Sequence, residues 1–213
     1  MIIGVVGFAG SGKGTVGNIL CKDYGFKAMS FADTLKDGVS TVFGWPRDLL
    51  EGDTAESRDF REKPDEFWSK ALGKPMTPRL ALQKFGTEAM RGAFGENFWV
   101  HCLAKKIHTY RNVVITDVRY PNEIKFIRDS GGFVVRVVRG PEPEWYEAAL
   151  LHNTGKTDNR MLSEYINVHS SEWAWIGSSF DYQIANDGTL SQLDAVISHM
   201  MKIFVGPTGK NQS

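Results

Sequence analysis

A short apolar run, Ile2 to Val6, stops at Gly7 and leads straight into GFAGSGKGT (7–15), where four of nine residues are glycine. A β-branched run of that length ending at glycine predicts a buried parallel strand. Beyond the glycines, Val16, Ile19 and Leu20 keep helical spacing, and Gly25 supplies a stop. The chain must therefore end a strand and begin a helix inside a glycine loop. Gly7 and Gly12 have the separation of G-x-x-x-x-G-K, and Lys13 is the loop's only charge. In such a loop backbone N–H groups converge on phosphate oxygens, the helix N-terminus adds partial positive charge, and the lysine neutralises the β and γ phosphates. Gly10, Ser11, Gly12, Lys13, Gly14 and Thr15 are the expected cradle. The plainer alternative is a tight turn whose lysine is exposed to solvent. Two look-alikes fail as phosphate loops: TGKT (154–157) would need glycine where Leu150 stands, and GPTGK (206–210) has the wrong spacing.

The rest of the chain alternates strands and helices. KAMSF (27–31), NVVITD (112–117), FVVRVV (133–138) and DYQIA (181–185) read as further strands. Helices are expected from Asp33 to Phe43, from Thr77-Pro78 to about Arg91, from Asn97 to Tyr110, from Pro121 to Gly131-Gly132, and after the Thr189 cap. Residues 45–77 are polar and punctuated by Gly and Pro, which predicts an insertion of short helices outside the core, Trp45 and Trp68 notwithstanding. Residues 139–179 show no sustained period and are expected to be mobile. This alternation predicts an α/β domain with a mainly parallel five-stranded sheet flanked by helices.

Composition narrows the function classes. Lys plus Arg and Asp plus Glu balance to zero net charge in 213 residues, so no general attraction to nucleic acid or a membrane surface is expected. Two cysteines are too few for a disulfide framework or a zinc site. No apolar run approaches the ~20 residues of a membrane span, and the apolar opening lacks a basic leader, so a cytoplasmic protein is expected.

Several segments beyond the loop carry candidate chemistry. In TDVRYPNE (116–123), Asp117 ends a strand and can order magnesium-bound water, while Arg119 can grip a phosphate bidentately. Glu123 either faces an acceptor nucleoside or serves as a first-turn carboxylate favoured by the helix dipole. In TPRLALQKFGTEAMR (77–91), Arg79 and Gln83 stand one helical turn apart with Thr87 beyond, while Leu82, Phe85 and Ala89 mark an inward face. Arg58 and Arg61 in ESRDFRE are either ligands or solvated charges. Arg139 closes the fourth strand, and Lys156 and Arg160 follow it. His169 in HSSE reads as a structural histidine rather than a base. Asn186-Asp187-Gly188 reads as a turn before the last helix.

The loop's ending is informative: Gly14 stands where most phosphate loops place a magnesium-binding hydroxyl, which here comes at Thr15. GKGT resembles the version in adenylate kinase and other nucleoside monophosphate kinases. The ordered set GKGT, SFADTLKD, LEGDTAESRDFRE, PRLALQKFGTE, FWVHCL, VVITDVRYPNE, VVRVVRG, HSSE and DYQIANDGTLSQL resembles the deoxynucleoside monophosphate kinases of bacterial viruses, from Ile2 to Leu193. The resemblance implies a single P-loop kinase domain over 1–213, with an acceptor-binding insertion at about 33–110 and a lid at about 139–179. It implies transfer of the ATP γ-phosphate to a dNMP, with Mg2+ held through water near Asp117 and Thr15 rather than directly. Lys13, Asp117, Arg119 and Arg139 would be catalytic, and Asn186 and Asp187 would join the cradle in holding ATP. Lys36, Arg58, Arg79, Gln83, Gly86, Thr87, Trp99, Asp117, Arg119 and Glu123 would hold the acceptor, although Trp99 reads equally well as core. The implied partners are small nucleotides, not nucleic acid or membrane, in a host cytoplasm if the chain is viral; the oligomeric state is left open. A P-loop kinase of another small acceptor, such as dephospho-coenzyme A, is the competing enzyme. A non-catalytic nucleotide switch lacks the N-K-x-D that would read guanine.

Overall fold

The computed structural model describes residues 1–156 and 158–206. Of the two look-alike motifs, TGKT includes position 157 and GPTGK runs past 206, so each lies partly outside the described residues. The chain divides into two compact units, Met1–Ser30 with Thr109–Ser213, and Phe31–His108.

The first unit is built on a sheet of five parallel strands: β1 (Ile2–Val6), β2 (Lys27–Met29), β3 (Val113–Ile115), β4 (Phe133–Val138) and β5 (Tyr182–Ala185). Their order is β2-β3-β1-β4-β5, and every pairing is parallel. β1 lies at the centre, with Gly4 opposite Ile115 on one side and Val134 on the other. Its apolar composition follows from that place, because helices cover both faces. Ile3, Val5, Val114, Val135, Val137 and Ile184 pack with Val16, Leu20 and Phe26, and with Leu193, Ile197 and Met200 of the last helix. That helix, Leu190–Val205, starts at a Thr189–Gln192 capping box, as the sequence suggests. The Lys13–Tyr24 helix stops at Gly25 in the left-handed region. Loops leave the carboxyl ends of β1, β3, β4 and β5 on one edge of the sheet, where ligands bind in open α/β sheets.

The described residues of 139–179 include three short helices, Tyr146–Asn153, Arg160–Ser163 and Ser170–Trp173. Pieces this short leave no sustained period to read. They are anchored through Ala148, Ala149, Met161, Trp175 and Ile176, all buried. Phe8 of the glycine loop packs against Trp175 and Trp145, with ring centroids at 5.0 and 5.4 Å.

The second unit is helical and has its own core, which corrects one expectation. Residues 45–77 do not lie outside a core: Trp45, Leu50 and Met76 are buried with Val39, Ala81 and Leu82. Trp45 stacks on Phe43 and donates its indole N–H to Asp65, which also caps the Glu66–Leu72 helix by accepting from Trp68 N at 2.8 Å. Polar punctuation here separates the Asp48–Leu50, Ala55–Glu62 and Glu66–Leu72 helices while isolated large side chains fill the space between them. The helix opened by Thr77-Pro78 is α-helical only to Gln83; Lys84–Arg91 is a π-helix, followed by a last turn at Gly92–Phe94. The wider turn moves Ala89 off the expected inward face and leaves it exposed. The Phe98–Ile107 helix completes the unit.

Candidate active site

The glycine loop is shaped by two close approaches. Gly7 and Gly12 have φ of 148° and 99°, and a Cβ would overlap the Val137 carbonyl at the first and the Asn186 side chain at the second. Asn186 Nδ2 donates to Ser11 O at 2.9 Å, so β5 pins the loop from behind. No side chain caps the Lys13–Tyr24 helix at Gly12, which leaves its first N–H groups facing the loop. Ser11 Oγ is buried and, among the described residues, has no hydrogen-bond partner. An uncapped helix start, a loop closed to a Cβ at Gly7 and Gly12, and an orphaned hydroxyl together fit a polyphosphate.

Lys13 is not the exposed lysine of the plainer reading. It is largely buried, and its Nζ donates to the carbonyls of Gly7 and Phe8, each at 2.7 Å. Burial, helped by the Arg119 charge and opposed by Glu172 and Asp117, lowers its pKa to about 8. Asp117, just past β3, accepts from Ser30 Oγ at 2.6 Å. Arg119 Nη1 donates to Glu172 Oε1 at 2.6 Å and reaches Ser171 Oγ at 3.5 Å. Glu123 does not turn outward: it is 3% exposed, and its Oε2 accepts from the backbone N–H of Arg119 at 2.7 Å and of Tyr120 at 3.1 Å. That carboxylate fixes the Arg119 backbone. Asp187 accepts from Gly140 N at 2.7 Å, tying the end of β5 to the end of β4 beside the exposed Arg139. Arg160 pairs with Asp158, and His169 caps the Ser170–Trp173 helix by accepting from Ser171 N. Lys156 is exposed.

In the unit of Phe31–His108, Lys36 pairs with Glu51 at 2.5 Å, and Arg47 pairs with Glu51, Asp37 and Asp33. Burial pushes the Glu51 carboxyl up, but the Lys36 and Arg47 hydrogen bonds outweigh it and leave the group below its usual range. Arg58 donates to Asp53 O and Arg61 to Glu51 O. Arg79 is exposed and pairs with Glu62. Gln83 and Thr87 are exposed, whereas Gly86 is buried beneath Leu35. Trp99 is 4% exposed and gives its indole N–H to Gly86 O at 2.9 Å, so it belongs to the core and holds the π turn from behind.

A profile of the deoxynucleotide monophosphate kinase family matches residues 52–197. The chain belongs to this family. A protein of Acanthamoeba polyphaga mimivirus named "Putative deoxynucleotide monophosphate kinase" is 32% identical over 153 residues, covering 65% of this chain and 74% of that one. Similar solved structures include shikimate kinase from Aquifex aeolicus, 18% identical, covering 97% of this chain and 100% of that one at a TM-score of 0.45. Protein TT1252 from Thermus thermophilus is 17% identical, covering 97% of this chain and 98% of that one at a TM-score of 0.46. As a member of the deoxynucleotide monophosphate kinase family the chain is a kinase. No helix among the described residues is long and apolar enough to cross a membrane.

Three residues that contact the candidate site were not singled out from the sequence: Ser30, Phe8 and Glu172. Ser30, which donates to Asp117, follows β2 with nothing in its spacing to mark it. Phe8 lies inside the loop motif but at a position the motif leaves free. Glu172 lies within HSSE, whose histidine is the residue that carries the recognisable chemistry.

Proposed function

We propose that the chain transfers the γ-phosphate of ATP to a deoxynucleoside monophosphate, giving a dNDP. The observation that carries this reading is the uncapped helix start beneath the glycine loop, with Lys13 within it and Arg119 close enough to bear on the Lys13 charge. Phosphoryl transfer relies on positioning and charge neutralisation, so no base of special pKa is required. The loop N–H groups and Lys13 hold the β and γ phosphates. Arg119, its backbone fixed by Glu123, and Arg139 offset the charge spread over the moving phosphoryl group. Asn186 and Asp187 act by fixing the loop and the end of β4, leaving backbone groups of that turn for the adenine. Mg2+ travels with the nucleotide and supplies charge neutralisation; Asp117 and the exposed Thr15 hydroxyl are the groups that would order its water.

On the acceptor side the reading assigns Lys36, Arg58, Arg79, Gln83 and Thr87, with Gly86 and Trp99 shaping the π turn that carries Thr87. A π turn inside a helix is frequent at functional sites. The acceptor sugar is deoxyribose. Packing alone excludes a hydroxyl by about a hundredfold or less, so the preference is expected to be moderate. The test is ATP consumption measured in parallel against all common NMPs and dNMPs. A dNMP is expected to give the highest kcat/KM, with dGMP above GMP or dTMP above UMP. Equal efficiency on matched pairs would remove the sugar claim, and no turnover with any of the monophosphates would remove the assignment.

A further inference from the structure

We propose that Glu172 is a displaceable counter-ion of the phosphate site: it holds the Arg119 guanidinium until a phosphate takes it over. The inference rests on the kinase reading above and adds a residue to it. Arg119 is fixed through its backbone, because the buried Glu123 accepts from its N–H and from that of Tyr120. Its side chain is therefore aimed from a rigid base, and among the described residues only Nη1 is engaged, by Glu172 at 2.6 Å and Ser171 at 3.5 Å. The Nε and Nη2 edge remains for the planar, two-point grip that a guanidinium makes on phosphate.

The pair is not a buried strut. The Arg119 and Glu172 side chains are 43% and 38% exposed, and a pair so solvated is easily exchanged for a more highly charged partner. Nor is Glu172 remote from the loop, since its charge, like that of Asp117, favours the protonated Lys13. Lys13 and Arg119 repel one another. Glu172 thus stands among the cations whose charge a phosphate would otherwise balance, and it comes from a short helix in the segment after β4. The remaining ties of that helix are local or lie within the same segment: His169 to Ser171 N, Trp173 Nε1 to Val168 O, and Asn153 to Trp173 O. Loss of Arg119 to a phosphate would cut its link to the loop after β3.

The test is calorimetric titration of the full chain at low ionic strength with inorganic pyrophosphate, and separately with the best dNMP from the acceptor screen at saturating ADP. Glu172→Gln keeps a hydrogen-bond acceptor for Arg119 but removes the charge. It is expected to tighten one of the two by roughly three- to tenfold, and the one that tightens names the phosphate Arg119 holds. In an Arg119→Gln background the same substitution should add nothing. Unchanged or weaker binding of both probes by Glu172→Gln, or a gain that persists without Arg119, would overturn the proposal. Should Glu172→Gln fail to fold, hydrogen exchange on the wild-type chain decides: amides 170–173 should lose protection when the probe binds, and unchanged protection overturns it. A wild-type chain that bound neither probe would instead bring down the phosphate-loop reading, and this inference with it.

Discussion

Lys13 donates to two carbonyls of its own loop while burial and Arg119 hold its pKa at about 8. A bound polyphosphate adds negative charge beside it and raises that pKa toward the usual 10.5 of a lysine. Below pH 8 the ammonium is already charged, so affinity should vary little with its titration. Above pH 8 binding must take up a proton, so affinity should fall as pH rises. Calorimetry of ADP binding at about pH 8.5, in two buffers of different ionisation enthalpy, should register that uptake; identical heats would refute the linkage. The same burial shapes the mutational expectation. Lys13→Met keeps the packing of the stem and removes a desolvated cation, so the protein should stay folded with an unchanged or higher Tm. Transfer should fall by a factor on the order of 100 to 1,000 or more, the scale of losing one preorganised charge at a developing anion. Near-normal turnover would sink the role given to the loop.

At the scale of elements, the π-helix of Lys84–Arg91 shows where pattern reading stops. Spacing in PRLALQKFGTE was legible as a helix with an inward face, and Leu82 is buried as expected. The wider turn was not, because it depends on Trp99, thirteen residues on, whose indole N–H reaches Gly86 O. Trp99→Phe keeps most of the buried ring and deletes that donor. It should cost about 1–3 kcal/mol in urea unfolding, and should alter use of the acceptor more than of ATP. An unchanged urea midpoint would mean that the indole bond does not hold the turn. The strands tell the opposite story. β1 and β4 match their expected bounds, whereas β2 and β3 stop short of the expected 27–31 and 112–117, where the polar residues Ser30 and Thr116 end their apolar stretches. The site divides the same way. Loop glycines are dictated by backbone geometry and stand out in the sequence, but Glu172 and Ser30 act through partners 53 and 87 positions away. Distance of that kind leaves no local signature.

At the scale of the whole molecule, residues of the two compact units should separate kinetically. Lys36→Ala and Arg79→Ala, both in Phe31–His108, should raise KM for the monophosphate while equilibrium titration shows ATP affinity nearly unchanged. ATP affinity collapsing in both while dNMP affinity held would mean the donor and acceptor assignments are reversed. The order of strands has a separate consequence for how the chain comes to be active. β1 carries the phosphate loop, yet its sheet neighbours, β3 and β4, begin only at Val113 and Phe133. During synthesis β1 must wait unpaired until Val113 of β3 emerges, while Phe31–His108 already contains every residue of its own helical core. Local helical contacts form quickly, and parallel pairing across long separations forms slowly. Pulsed hydrogen exchange during refolding should therefore protect amides of Val39, Ala81 and Leu82 before those of Ile3 and Val5. The glycine loop is then among the last parts of the polypeptide to acquire its shape, and a nascent chain interrupted between His108 and β3 would have a folded helical unit and an unfinished loop.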